Sequence, residues 1–528
     1  MKEKQFIRVG LRNFLIDIME IIDSFLNRTT MYRLTLYYLI VLVAAAFIFC
    51  VLGIINQNAL DILFCTFIAL TVGYFSNIIF SKIFHAVTNI ESVFITALIL
   101  VLIIPVKFPE NIYFFIGASL FAMAAKYFPT IEKQHIFNPA AAGVAAVSLL
   151  WPSHVATWWV GTPIMVPFVL IGGLLLIRKI RKENMVFDFV TAYFIIIAIA
   201  ALTHNFTLSS VQSIIKSSII YSPFLFFSFV MFTEPITSPT TKKWQSYYSY
   251  FVALLYSTPQ VRILGLGFTP EISLCLGNLF SFLVSPKYRL VLKLSNKFQN
   301  SPDIFSFVFT FKEKFNFIPG QYMEWTLPHK QTDDRGNRRY FSIASSPTEN
   351  FLMVTVRFNK LSSSYKNTLF NLPVGSEIIA SSLSGDFVLP RSLKRPIVFI
   401  AGGVGIAPFR SMAKYIIDKK INCNIILFYV NKNVKDIIFS DTFENARQFG
   451  LKTVYTLTDE NSIPSGWTGK VGRISEKHIL EITDYKKGIY YISGPQLMVQ
   501  STEKMLHSLG INNKNIITDF FPGYLEKN

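Results

Sequence analysis

Residues 399–412, Phe-Ile-Ala-Gly-Gly-Val-Gly-Ile-Ala-Pro-Phe-Arg-Ser-Met, run from an apolar strand through a glycine-rich turn into a helix. A glycine lets the backbone come close to a diphosphate, and the first turn of a helix offers N–H groups that no carbonyl has yet claimed. That arrangement suits a dinucleotide pyrophosphate. A nicotinamide cofactor, NAD(P)H, is therefore expected on Gly402, Gly403, Gly405, Ile406, Ala407 and Pro408. A lone Gly-x-Gly is also what any tight turn looks like, so the assignment depends on its surroundings.

The surroundings read as two small domains. From 393 to 528 apolar strands alternate with helical patterns: Ile397 to Ala401, 407–418, Asn424 to Val430, about 475–482, Gly488 to Ser493 and 496–509, which predicts a parallel α/β sheet. Residues 292–392 hold short alternating segments such as Met353-Val354-Thr355-Val356-Arg357-Phe358. Turn signals stand at Pro319-Gly320 and Leu372-Pro373-Val374-Gly375, and together they predict an antiparallel β-barrel.

Everything before these domains is of another kind. The chain of 528 residues is 52% hydrophobic and 15% aromatic, too apolar for an ordinary soluble enzyme, and the excess lies in residues 31–287. Ten apolar stretches stand at about 34–55, 61–80, 92–105, 112–125, 138–151, 163–177, 187–203, 217–232, 246–257 and 262–285. Several are shorter than the ~20 residues of a straight crossing, which predicts a helical membrane bundle with broken or buried members. Basic residues mark alternate connections: the arm 1–30 with Lys2, Lys4, Arg8, Arg12 and Arg28, then Lys82, Lys126 with Lys133, 178–182, and Lys242-Lys243. By the positive-inside rule both termini lie in the cytoplasm, where a nicotinamide domain meets its cofactor. The net charge of +18 follows from those loops and does not require nucleic acid as a partner. Phe14 to Phe25 has helical apolar spacing and reads as a surface helix or one packed on the bundle. The four cysteines are too scattered for zinc or an iron–sulfur cluster, and no metal is expected.

The residues of the soluble half carry a specific likeness. Arg339-Tyr340-Phe341-Ser342, Gly403 to Pro408, Ser493-Gly494-Pro495-Gln496-Leu497-Met498 and the terminal Asp519-Phe520-Phe521-Pro522-Gly523-Tyr524, in this order, resemble the ferredoxin-NADP reductase family. The resemblance implies FAD. Arg339 would pair with its diphosphate, Phe341 would pack on the isoalloxazine and Ser342 would stand near the hydride-accepting nitrogen. It also implies that Ser364 and Lys366 hold the pyrophosphate from a second segment, that Gly494, Pro495 and Met498 lie below the nicotinamide, and that Phe520, Phe521 or Tyr524 covers the flavin. Phe341 stands where the family usually has Tyr, and Ser493 where it often has Cys.

The apolar half has its own signatures, His135-Ile136-Phe137-Asn138-Pro139-Ala140-Ala141-Ala142-Gly143 and Phe232-Thr233-Glu234-Pro235-Ile236-Thr237-Ser238-Pro239-Thr240-Thr241. They resemble the flavin-binding membrane subunits of Rnf electron-transport complexes and of the related sodium-pumping NADH:quinone reductase. The resemblance implies FMN or riboflavin in the membrane, held near Thr237, Ser238 and Thr240 or attached covalently at Thr157. Ser153-His154-Val155-Ala156-Thr157 keeps only part of the family's attachment sequence; Trp158 and Trp159 would shelter the ring. Asn138-Pro139 and Thr269-Pro270-Glu271 interrupt the fifth and tenth stretches, as two five-span halves of an inverted repeat would. Glu91, Asp188, Glu234 and Glu271 read either as a proton or sodium path or as caps and pairs at helix ends.

The expected protein is an inner-membrane, multi-pass dehydrogenase moving electrons from NAD(P)H through FAD to a membrane flavin and on to a quinone or extracytoplasmic flavoprotein, with room for further subunits. Two alternatives stand beside it. A haem-containing ferric reductase or NADPH oxidase needs facing axial histidines, and His85, His135, His154 and His204 show no repeated pairing. A transporter with a regulatory nucleotide-binding domain is favoured by the inverted repeat alone. Asn431 to Asp436 offers lysines but no arginine fork for a 2′-phosphate, which slightly favours NADH.

Overall fold

The computed structural model describes residues 21–519 apart from 23–24, 27–28, 85–89, 106, 129, 132–133, 153–155, 204–206, 260, 264–265, 286–288, 314, 331, 334–335, 359–361, 391 and 394. Most of the expected surface helix at 14–25 and the terminal aromatics Phe520, Phe521 and Tyr524 thus lie outside the described residues. The chain divides into two compact units, residues 1–287 and 288–528.

The first unit is helical. Helices α1 (Met31–Val51) and α2 (Ala59–Ile83) are opened by Thr30 and Asn58, whose side chains accept the N–H of Arg33 and Leu60. At about 1.5 Å per residue both are long enough for a ~30 Å hydrocarbon layer. Shorter apolar helices α3 (Ile90–Ile103) and α4 (Ile112–Ala124) follow, then a two-residue hairpin, β1 (Thr130–Ile131) with β2 (Gln134–His135), and α5 (Pro139–Leu150). The second half repeats the pattern: α6 (Val166–Ile180), α7 (Glu183–Thr203), α8 (Leu208–Ile220), α9 (Phe224–Phe226), α10 (Lys242–Tyr256), a hairpin of β3 (Arg262–Ile263) and β4 (Leu266–Gly267), and α11 (Pro270–Val284).

Among the described residues four helices are long and apolar enough to cross a membrane, five if one bent pair counts as a span. The expected eighth stretch, 217–232, is not continuous. Ser209–Ile220 and Phe224–Met231 meet at 58°, where Pro223 has no N–H to continue the helix, and Phe227–Met231 form a π turn. The breaks at Asn138-Pro139 and Thr269-Pro270 are helix starts, with proline in the first turn where a missing N–H costs nothing. The outward faces are apolar, with Phe67, Ile171 and Leu202 exposed, the surface a lipid-facing bundle presents. The protein is a membrane protein.

The second unit holds two six-stranded sheets. The antiparallel one comprises β5 (Arg289–Ser301), β6 (Ile304–Thr310), β7 (Tyr322–Thr326), β8 (Arg338–Ser342), β9 (Leu352–Arg357) and β10 (Glu377–Ser384), in the order β8-β7-β10-β5-β6-β9, with α12 (Ser364–Phe370) between β9 and β10. It is a half-barrel sheet with β8 and β9 at its edges. The parallel sheet comprises β11 (Ile397–Gly402), β12 (Ile425–Asn431), β13 (Leu451–Leu457), β14 (Lys470–Val471), β15 (Ile489–Ser493) and β16 (Ile516–Asp519), in the order β14-β13-β12-β11-β15-β16. After β11 the chain winds outward through β12, β13 and β14, then returns to β15 on the other side. The order thus reverses between β11 and β15, and it is at the carboxyl ends of strands at such a reversal that open α/β sheets bind ligands.

Candidate functional site

Both strands at the reversal end in glycine turns that lead into helices, α13 (Ala407–Asp418) after β11 and the longer of the later helices, Gln496–Ser508, after β15. The turns are packed against one another. A Cβ on Gly402 would stand 2.4 Å from Met498 Sδ and 3.1 Å from Pro495 Cδ, and one on Gly405 only 2.4 Å from the Ser493 carbonyl oxygen. Gly402, Gly405, Gly494, Pro495 and Met498 are thereby brought together. Gly403 differs, with φ +53° and nothing nearer its absent Cβ than Arg357 Nη1 at 4.0 Å. Gly403 thus keeps its Cβ side open, whereas at Gly405 the missing side chain makes room for the neighbouring turn. Ile406 is buried just before α13, and Ala407 and Pro408 are buried in its first turn.

The segment expected to hold flavin, Arg339 to Ser342, lies on the edge strand β8, paired with β7 so that Arg339 faces Trp325 and Phe341 faces Met323. Alternation puts Arg339 and Phe341 on one face and Tyr340 and Ser342 on the other. The Arg339 guanidinium lies 5.0 Å from the Tyr365 ring centre and donates to the carbonyls of Gly336 and Arg338. Phe341 also reaches Tyr365, with ring centres 6.0 Å apart. Burial pushes the Tyr365 phenol well above its ordinary pKa, against the pull of the Arg339 charge, so it stays neutral. Tyr340 donates to Glu324 Oε2 at 3.0 Å. Ser364 and Lys366 are engaged within the protein: Ser364 Oγ meets His329 Nε2 and the Asp333 N–H, and Lys366 Nζ donates to the Arg357 carbonyl.

Ser342 Oγ donates to Asp519 Oδ2 at 3.1 Å, joining β8 to the last residue of β16. Sequence motifs alone give Asp519 no role, although it opens the terminal aromatic segment. They pass over Arg357 as well. It ends β9 beside Gly403 and lies 3.3 Å from Asp303 and 3.2 Å from Asp436, so the acid in the segment after β12 is already matched to an arginine.

In the membrane unit the two signatures meet. Asn138 Nδ2 and Thr237 Oγ1 both donate to Glu234 Oε2, at 2.9 and 3.0 Å, and His135 Nε2 stands 3.7 Å from Oε1. Asn278 of α11 accepts the Asn138 N–H at 2.8 Å and donates to the Thr237 carbonyl. Ser238 Oγ donates to the Glu234 carbonyl and accepts from Lys182; Thr240 follows, half-buried, before α10. Lys126 and Lys182, expected in inside loops, are folded in, Lys126 Nζ donating to Ser92. The other acids are partnered too: Glu91 by Arg33 at 2.9 Å, Asp188 by Ser246 at 2.5 Å and Glu271 by the Trp158 indole at 3.1 Å.

Thr157 is exposed, but the tryptophans after it do not form an open shelter. Trp158 is 1% exposed and packs on Phe226 and Phe227, and Trp159 donates to the Val101 carbonyl. An indole N–H needs an acceptor when buried, and both find theirs inside the bundle. Denatured protein coexpressed with a flavin transferase separates the two expectations: in-gel fluorescence that disappears in Thr157→Ala would mean a covalent flavin at Thr157, and an unmodified peptide spanning Thr157 would leave only a dissociable one.

Comparison with known proteins gives each half a counterpart. Residues 29–165 match the NQR2, RnfD, RnfE family, and residues 399–504 match the oxidoreductase NAD-binding domain. The chain is a fusion of these two modules. Flavohemoprotein A of Dictyostelium discoideum is 26% identical over 243 residues, 43% of this chain and 59% of that protein. The glycine betaine monooxygenase reductase subunit of Chromohalobacter salexigens is 27% identical over 205 residues, 38% of this chain and 54% of its own length. The chain thus spans little more than half the length of these relatives. Among solved structures, Amycolatopsis cytochrome P450 reductase GcoB aligns with 45% of this chain and 71% of its own, at 22% identity and a TM-score of 0.41.

Proposed function

We propose that this protein is a membrane-bound NAD(P)H dehydrogenase that takes hydride from cytoplasmic NAD(P)H and passes electrons into its membrane domain, and from there to a quinone or an extracytoplasmic flavoprotein. The observation that carries the reading is the approach of the two motif sets of the second unit: the Arg339–Ser342 strand is bonded through Ser342 to Asp519, which ends the edge strand β16 directly opposite Ser493 at the end of β15. The residues fit FAD and a dinucleotide. Arg339 and Phe341 share one face with Tyr365, and Gly403 leaves its Cβ position open beside Arg357. When bound, FAD supplies a ring able to accept two electrons at once and release them singly.

The protein's own share is binding and orientation. Arg339 offers a planar fork to a diphosphate, Phe341 an aromatic face, and Ser342 a hydroxyl whose direction is set by Asp519. Gly403 and the start of α13 receive the dinucleotide phosphates. The lysines of 432–435 without an arginine fork favour NADH. In the membrane unit the Glu234 cluster, with Thr237, Ser238 and Thr240, is the seat we assign to a second flavin, FMN or riboflavin. We assign the protein to the inner membrane, with both termini in the cytoplasm.

The test is anaerobic titration of the purified full chain in nanodiscs with NADH and with NADPH. Bleaching of flavin absorbance, followed by reoxidation on adding a quinone, is expected; a sharp reduced Soret band would favour the haem alternative, and no bleaching would refute the reading. Arg339→Ala should purify with less than a tenth of the wild-type FAD. Ser342→Ala should retain FAD and reduce it about 100-fold more slowly, the low end for loss of one positioned catalytic group. Normal FAD content in the first variant and normal reduction in the second would remove these residues from the site.

A further inference from the structure

The loop that follows the flavin strand is fastened to the helix that follows the glycine turn. Arg410, in the first turns of α13, makes a two-point ion pair with Glu349: Nη2 lies 2.9 Å from Oε1, and Nη1 pairs with Oε2. The side chains are only 12% and 11% exposed, so the pair is shielded and its forked geometry fixes orientation as well as distance. Arg410 Nη1 also donates to the Ala344 carbonyl at 3.2 Å, and Glu349 Oε2 accepts the Ser346 N–H at 2.7 Å. Beside them Ser411 Oγ donates to the Ser345 carbonyl at 2.6 Å, and Thr348 Oγ1 to Asp418 Oδ2 at 2.5 Å. Arg410, Ser411 and Asp418 thus lie along one stretch of α13 that grips residues 344–349.

Ser342 stands two residues before this loop, and Gly405 two residues before α13. We infer that Arg410 and Glu349 are positioning residues, whose paired contact sets the separation between the flavin strand and the dinucleotide turn and so the reach of hydride transfer. The inference rests on the dehydrogenase reading. The partners of both residues lie within the protein, and each acts through the loop or helix it holds. Transfer rates are steep in reach, a misplacement of about 1 Å costing on the order of 100-fold, whereas each ligand's own contacts stay on one side of the clasp.

Glu349→Gln and Arg410→Lys in the full-length protein separate this from a purely structural role. Four quantities are compared with wild type: FAD content, the Kd for NADH, the limiting rate of flavin reduction, and hydrogen exchange in 344–349 and 407–418. The expected result for Glu349→Gln is full FAD content, a Kd within about 2-fold, a limiting rate lowered about 10-fold or more, and faster exchange in both segments. Arg410→Lys, which keeps the charge but loses the fork, should fall between. A limiting rate within 2-fold of wild type overturns the inference, as does a loss of FAD or of NADH affinity that accounts for the change. Absence of flavin reduction in the wild-type protein would instead refute the dehydrogenase reading, and the inference with it.

Discussion

Gly405→Val is expected to abolish NAD(P)H-dependent reduction by disrupting the second unit, while Gly403→Ala leaves the fold intact and weakens nicotinamide binding. A Cβ at Gly405 falls 2.4 Å from the Ser493 carbonyl oxygen and 2.6 Å from both N and Cα of Gly494. These are backbone atoms at the end of the central strand β15, paired on both sides by β11 and β16, so they cannot yield as a flexible side chain would. Overpacking of this kind costs about 1–3 kcal/mol, and contact with main chain belongs at the upper end. At Gly403 the nearest atom is 4.0 Å away, and only the left-handed φ of +53° resists a side chain, a cost of about 1–2 kcal/mol. Thermal unfolding of the purified variants and NADH titration distinguish the two. Gly405→Val should unfold at a clearly lower temperature, and Gly403→Ala should keep most of its stability while its KM for NADH rises about 10-fold. A stable Gly405→Val with normal kinetics would mean the two turns do not pack this closely.

The glycine turn was legible because chemistry and spacing coincide within fourteen consecutive residues, 399–412, flanked by a strand and a helix that periodicity marks. What periodicity cannot supply is which distant segments meet. Ser342 and Asp519 are 177 positions apart and Asn138 and Asn278 are 140 apart, and a single sequence carries no signal that pairs them. Element length mattered too. Leu451–Leu457 is a full strand, yet Leu-Lys-Thr-Val-Tyr-Thr-Leu mixes polar residues into a buried position of the sheet, and two-residue hairpins such as Thr130–Ile131 with Gln134–His135 are too short for any alternation to register. Lys126 and Lys182 read as loop charges because a basic residue between apolar stretches usually is one; hydrogen bonds to Ser92 and Ser238 fold them inward. The indoles of Trp158 and Trp159 turn inward for a related reason, since their N–H groups are satisfied on Glu271 and Val101.

Glu234→Ala is expected to destabilise the membrane unit more than any other single polar truncation there, because one carboxylate holds both signature segments. Its Oε2 accepts from Asn138 at the start of α5 and from Thr237, and its backbone carbonyl accepts from Ser238, the partner of Lys182. Asn138 is 3% exposed and Thr237 2%, so the donors left behind have little water to turn to, and an unsatisfied buried group costs about 1–3 kcal/mol. The Glu234 side chain is itself 24% exposed, which puts the loss below that of a fully enclosed ion pair, about 3–5 kcal/mol. Glu234→Gln can set its carbonyl oxygen where Oε2 stands and accept from both Asn138 and Thr237, with its NH₂ on the His135 side and the charge gone, so it should lose less than half as much. Thermal unfolding in detergent, with flavin content measured on the same samples, reads both consequences. If the cluster seats the second flavin, content should fall with stability in the order wild type, Gln, Ala. An Ala variant as stable as wild type would mean that Asn278, which bonds to both the Asn138 N–H and the Thr237 carbonyl, is sufficient to join the segments without the carboxylate.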